Sequence, residues 1–100
     1  MGRKCWETKG EMRVGKAFQK RRIKVLYQYN KGPYIIDIFL PQFNASIEVH
    51  GPHHVIHRRI LKDIERSRFI ESTGIREYII TAQDTKIPGK VRELVNMVVN

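Results

Sequence analysis

The stretch Tyr34-Ile35-Ile36-Asp37-Ile38-Phe39-Leu40-Pro41-Gln42-Phe43-Asn44-Ala45-Ser46-Ile47-Glu48-Val49-His50 decides the fold. Tyr34 to Leu40 is apolar on both faces apart from Asp37, which predicts a largely buried strand, and Pro41 ends it. After Gln42-Phe43-Asn44 a further strand is expected from about Ala45 to His50. Upstream, Ile23 to Tyr29 is rich in β-branched and aromatic residues and predicts another strand, turned by Asn30-Lys31-Gly32-Pro33. Connections this short make the three strands an antiparallel meander.

Working outward, Gly51-Pro52 breaks the last of these strands. From about His53 or Val55 to Ser72 the pattern is helical. Ile56, Ile60, Asp63, Ile64 and Ser67 share one stripe, with Arg58, Arg59, Lys62, Glu65 and Arg66 elsewhere. Gly74 suits the left-handed position past a helix end, and Ile75 to Thr81 predicts a fourth strand. Thr85 to Asn100 carries Ile87, Val91, Leu94, Val95 and Val98 at helical spacing, with Pro88 near the first turn. At the other end, Thr8-Lys9-Gly10-Glu11 has the form of a capping box. It opens a helix from about Lys9 to Arg21 that turns Glu11, Val14, Gly15 and Phe18 to one side. Gly15 costs helix propensity, roughly 1 kcal/mol against Ala, so another element is expected to approach it closely. The order α-β-β-β-α-β-α predicts an α/β (α+β) fold, a mixed four-stranded sheet flanked by helices.

One hundred residues, 41% hydrophobic and 29% charged, suit a single domain over 1–100. Nineteen Lys+Arg against ten Asp+Glu leave +9, which favours a polyanionic partner, nucleic acid first. One cysteine, Cys5, excludes an intramolecular disulfide framework and a four-Cys zinc site. No apolar run reaches the roughly 20 residues of a membrane span, and Met1 to Lys20 holds no secretory h-region. A cytoplasmic setting is expected.

Two carboxylates interrupt apolar strands, Asp37 and Glu48. Buried without partners each costs several kcal/mol, so they either face solvent or meet a cation, a metal or a hydrogen-bond network. Glu48 and His50 share a strand face, and Asp37 can join them if the strands pair. Oxygen donors of this kind suit Mg2+ before Zn2+. In a basic protein that cation suggests phosphodiester chemistry.

All four histidines, His50, His53, His54 and His57, fall within eight residues. Three readings stay open for them: solvated or capping side chains, a zinc site using His53 and His57, or a general base or acid. Asp63 can orient an imidazole or pair with a nearby arginine. The capping box already accounts for Glu11, although its side of the helix is the one Val14 and Phe18 turn to the core.

These residues resemble a known family. Asp37, ten intervening residues, then Glu48-Val49-His50 looks like the PD-(D/E)xK nuclease core, with His50 where lysine usually stands. Ile47-Glu48-Val49-His50-Gly51-Pro52-His53-His54 resembles the very-short-patch-repair (Vsr-like) endonucleases and their relatives. So does Asp63-Ile64-Glu65-Arg66 through Gly74-Ile75. With Glu11 added, this is the Glu-Asp-x-His-Asp (EDxHD) pattern of that group and of some phage homing endonucleases. The resemblance covers roughly Thr8 to Thr81.

The resemblance implies a restriction-endonuclease-like fold and a Mg2+-dependent DNA endonuclease in which Mn2+ substitutes. It makes Asp37 the principal metal ligand, completed by the Val49 carbonyl with Glu48. His54 would activate water, with Asp63 orienting it, and His53 is the alternative in that role. His50 would meet the scissile phosphate or leaving oxygen, and Glu11 would complete the site. Arg13, Lys16, Lys20, Arg21, Arg22, Arg58, Arg59 and Lys62 are candidates to track the DNA backbone. Double-stranded DNA is the expected partner, with a homodimer or an appended recognition domain supplying what a small catalytic core lacks. Glu48 departs from the mismatch-repair members, which are apolar there, and their zinc site has no counterpart. A non-enzymatic nucleic-acid-binding module and a zinc-stabilised interaction domain are the rival readings.

Overall fold

The computed structural model describes residues 9–51 and 57–100, and over 57–63 it describes the backbone alone. In chain order the elements are α1 (Lys9–Gln19), β1 (Leu26–Lys31), β2 (Tyr34–Leu40), β3 (Ala45–His50), α2 (His57–Ser72), β4 (Arg76–Thr81) and α3 (Pro88–Val99). Single 3-10 turns stand at Pro41–Phe43 and Asp84–Lys86. The sheet order is β1-β2-β3-β4. The meander is antiparallel as expected, and β4 joins β3 in parallel after the α2 crossover. Among the described residues no helix is long and apolar enough to cross a membrane.

The bounds of β2 and β3 are those the sequence predicts, because Pro41 and the chain reversal at Asn44 (φ 49°) punctuate them. The ends of α1 and β1 differ from expectation. The helix stops at Gln19 rather than Arg21, closed by a Schellman motif. Ile23 N–H donates to Phe18 O (3.2 Å) and Arg22 N–H to Gln19 O (2.9 Å). Arg22 takes the left-handed conformation (φ 62°) that glycine usually supplies, and buried Ile23 packs with Phe18 in the same core. Ile23 therefore seals a helix end instead of starting a strand. β1 begins at Leu26 and runs to Lys31, so the hairpin loop is just Gly32-Pro33, with Gly32 at φ 59°.

The sheet separates two apolar layers. On one face, Val14 and Phe18 of α1 and Val91, Leu94, Val95 and Val98 of α3 pack over Ile38, Leu40, Ala45, Ile47 and Ile80. On the other, Ile36 and Phe39 pack with Ile70 and Ile75, joined by Tyr29 stacked on Phe39 at 4.4 Å. Ile36 and Phe39 are three apart and share a face, whereas strict alternation would separate them. The break falls at the rung of Asp37. Its counterpart on β1, Gln28, lies between the pairs Tyr27↔Ile38 and Tyr29↔Ile36 and has φ 51°. A left-handed residue inside a strand rotates the side chains that follow it. The sheet is thus wrung at the position of its first internal carboxylate.

α2 presents a different side from the expected one. Ile64 is 45% exposed, while Arg66 and Ile70 turn inward. The sheet surface below carries Glu48 and Glu77, so a cation faces it in place of an aliphatic stripe. The final helix starts at Pro88, and the segment expected to be its first turn is the 3-10 turn Asp84–Lys86.

Glu11, Val14, Gly15 and Phe18 are buried together, as their spacing predicts. The element that approaches Gly15 is the Tyr27 ring, whose Oη lies 1.9 Å from where a Cβ would stand. Gly15→Ala should therefore destabilise the protein by about 1–3 kcal/mol through overpacking, despite a gain of roughly 1 kcal/mol in helix propensity. Urea unfolding checks this, and a stabilised variant would contradict it.

Candidate active site

The site grows from a fork in the sheet. The β2–β3 ladder pairs Leu40↔Ala45, Phe39↔Ser46 and Ile38↔Ile47 and stops there. β3 nevertheless stays paired to β4 as far as His50↔Thr81. At the next position along β2, Asp37 uses its side chain where the ladder ends, and its Oδ2 accepts the Val49 N–H at 3.4 Å.

Glu11 reaches the same point from α1. It is 4% exposed, accepts Gln28 Nε2–H at 3.4 Å, and is hydrogen-bonded to Asp37. Two carboxyl groups in hydrogen-bond contact need a proton between them or a cation beside them. Burial raises the Asp37 pKa above its ordinary value, against the opposing pull of the Val49 N–H, Arg66, Glu11 and His50. Glu48 is pushed up to about 7, by burial first and then by the Asp37 charge, with Arg66 opposing. Negative charge is thus concentrated where water is scarce.

Arg66 is the residue that the sequence reading missed. Its guanidinium pairs with Glu48, donates to Glu77 Oε2 at 3.0 Å and to the Ile35 carbonyl at 2.9 Å. One planar fork thereby ties α2 to β2, β3 and β4. The acids in the strands signalled that a cation was needed. Nothing in the spacing ranked Arg66 above Arg58, Arg59, Lys62 or Arg68 on the same helix.

His50, half-buried at the end of β3, accepts the Ala82 N–H at its carbonyl (2.7 Å). It lines a hollow of about 410 Å³ with Gly51, Thr81, Ala82, Gln83 and Lys86. This hollow opens beyond the carboxyl ends of the parallel pair β3–β4, where open mixed sheets commonly bind ligands. The fold therefore brings Glu11, Asp37, Glu48, Val49 and His50 to one region. His53 and His54 lie outside the described residues. Asp63, Arg58, Arg59 and Lys62 belong to α2, and their side chains also lie outside the described set. The remaining basic candidates, Arg13, Lys16, Lys20, Arg21 and Arg22, are exposed around α1 and its end.

Among the described residues, no three side chains of His, Cys, Asp and Glu converge as a ready metal cage. The donor chemistry still fits a hard divalent cation. Mg2+ is commonly held by one or two carboxylates and keeps most of its waters. Asp37 and Glu11 supply that number, and a cation would relieve their mutual repulsion. Glu48 fits less well, since Arg66 already engages its carboxylate.

No protein-family model matches the chain, and no curated protein matches it. Among solved structures it is similar to the catalytic domain of the homing endonuclease I-Bth0305I, with a TM-score of 0.76 and 20% identity. The likeness covers 91% of this chain and 93% of that one. At this identity it is a likeness of fold, a mixed four-stranded sheet flanked by helices.

Proposed function

We propose that this chain is the catalytic domain of a Mg2+-dependent DNA endonuclease that hydrolyses phosphodiester bonds at the fork between β2 and β3. The observation that carries this reading is Asp37, a half-buried carboxylate of raised pKa held at the strand fork between Glu11 and the Val49 N–H. The similar fold bears the name of a homing endonuclease catalytic domain, which supports the same reaction class. We read the chain as of homing-endonuclease or Vsr-like, EDxHD type, acting on double-stranded DNA in the cytoplasm. A homodimer or an appended recognition domain would supply the second active site or the sequence reading.

Asp37, the Val49 carbonyl and Glu11 would hold Mg2+, with Mn2+ as a substitute. The bound cation would supply Lewis-acid stabilisation of charge building on the phosphoryl oxygens. Glu48 stands beside this set, and its pairing with Arg66 leaves the first carboxylates to carry the ion. His54, oriented by Asp63, would take the proton of the attacking water. His50 would hydrogen-bond the scissile phosphate or the leaving oxygen from the mouth of its hollow.

Supercoiled plasmid incubated with Mg2+ or Mn2+ should yield nicked and linear products. EDTA should stop the reaction, and Asp37→Ala should slow it by more than about a hundredfold. Salt-sensitive DNA binding without cleavage under any metal would overturn the enzyme in favour of a binding module. Stoichiometric zinc with unfolding by chelators would favour the zinc-stabilised domain.

A further inference from the structure

A cleft lies away from the fork, between α1 and α3. It has a volume of about 520 Å³ and an apolar floor of Ala17, Val91 and Val95. Six cations line it, Arg13, Lys16, Lys20, Arg21, Lys86 and Arg92, and no carboxylate of the described residues does. Arg13, Lys16 and Lys20 fall at i, i+3 and i+7 and so share one helix face. Two of the cations are held in place. Arg13 donates to Thr85 Oγ1 at 3.2 Å, and that buried hydroxyl in turn donates to the Ala82 carbonyl at 2.6 Å. Arg21 donates to Asn96 Oδ1 at 3.2 Å. Lys86 belongs both to this cleft and to the hollow of His50.

We propose that the α1–α3 cleft binds the sugar-phosphate backbone of one DNA strand leading away from the site of cleavage. The proposal rests on the nuclease reading for the identity of the ligand. Uncompensated positive charge selects a polyanion. The apolar floor suits sugar faces, and a space of this size takes a drug-sized length of one chain rather than a duplex. Among the described residues no aromatic ring lines the cleft to stack a base, so these contacts position DNA without reading it. Anchored arginines lose little freedom on binding, which makes the track preorganised. Lys86 joins the track to the hollow of His50, and neither Lys86 nor Arg92 is among the residues that the sequence marks for DNA.

Binding of a fluorescent duplex is measured by anisotropy against salt, in the Asp37→Asn background so that the DNA stays intact. Lys86→Ala/Arg92→Ala should reduce the slope of log K against log salt by about 2, and weaken binding on the order of tenfold at about 0.15 M salt. Lys31→Ala/Arg76→Ala removes the same charge from residues outside the cleft and should change the slope by less than half as much. Thermal melts accompany both pairs, and each slope is compared at equal folded fraction.

An unchanged slope in the first pair, or equal losses in both, overturns the track. Polyglutamate displacing the duplex at lower concentration than unlabelled duplex overturns it in favour of an acidic polypeptide. Absence of duplex binding at about 50 mM salt overturns it as well. Plasmid cleavage by the wild type separates the two readings. A normal slope with metal-dependent cleavage leaves the nuclease and removes the track, whereas a reduced slope with no cleavage leaves the track and removes the nuclease.

Discussion

Asp37→Asn should abolish cleavage and make the protein more stable, with Tm in EDTA at pH 8 rising by about 4–8 °C for roughly 1 kcal/mol recovered. The amide keeps an oxygen to accept the Val49 N–H and gains a donor for Glu11, while the charge that burial penalises is gone. It also removes the second of the two causes that raise Glu48. The sign follows from Glu48, whose pKa goes from 4.5 to about 7 on folding. Between those values the folded protein holds a proton that the unfolded chain has released. The resulting stability is full below about pH 4.5, is lost as pH rises through 7, and amounts to at most about 3 kcal/mol. The gain from Asp37→Asn should accordingly shrink when the melts are repeated at pH 5. Mg2+ should raise the Tm of the wild type and leave that of Asp37→Asn unmoved, because only a ligand of the folded state stabilises it. An Asp37→Asn variant less stable than the wild type at pH 8 would show that the carboxylate supports the fold rather than straining it.

Arg66→Met should lower stability by about 3–5 kcal/mol, the cost of leaving Glu48 and Glu77 buried without their cation. For a domain of this size that is a large share of the typical 5–15 kcal/mol, and Tm should fall by more than about 12 °C. Adding Glu48→Gln and Glu77→Gln to the same chain should recover much of the loss, since uncharged groups need no counterion. Arg66→Lys should fall between, because one ammonium cannot reach Glu48, Glu77 and the Ile35 carbonyl as a planar fork does. A single Arg66→Met within about 1 kcal/mol of the wild type would mean that the network adds nothing to stability.

Asp37, Glu48 and His50 were legible as a cluster because strand spacing alone puts Glu48 and His50 on one face and a short turn brings Asp37 opposite. Periodicity made Glu11 legible as a residue of the inward face of α1, and only the family resemblance set it in one site with Asp37, because its capping-box position explained it locally. The Arg22 helix end escaped notice for a related reason. Arginine at a left-handed position carries no mark of its own, and the burial of Ile23 against Phe18 is what holds it there. The wringing of the sheet at Gln28 and Asp37 was equally silent, since Ile36, Ile38 and Phe39 are all apolar and satisfy either face.

By itself, then, the sequence determined the order of elements, the bounds of β2 and β3, the apolar faces of α1 and α3, and the pairing of two acidic positions on neighbouring strands. These follow from periodicity and from punctuation by proline and glycine, which act over a few residues. Only the tertiary structure decided that Arg66 answers Glu48, that Arg13 rests on Thr85, and that α1 and α3 enclose a cationic cleft. Those partners stand 18 and 72 residues apart. Which of several chemically equivalent arginines meets a given acid depends on how helices settle on a twisted sheet, and local pattern carries no record of that approach.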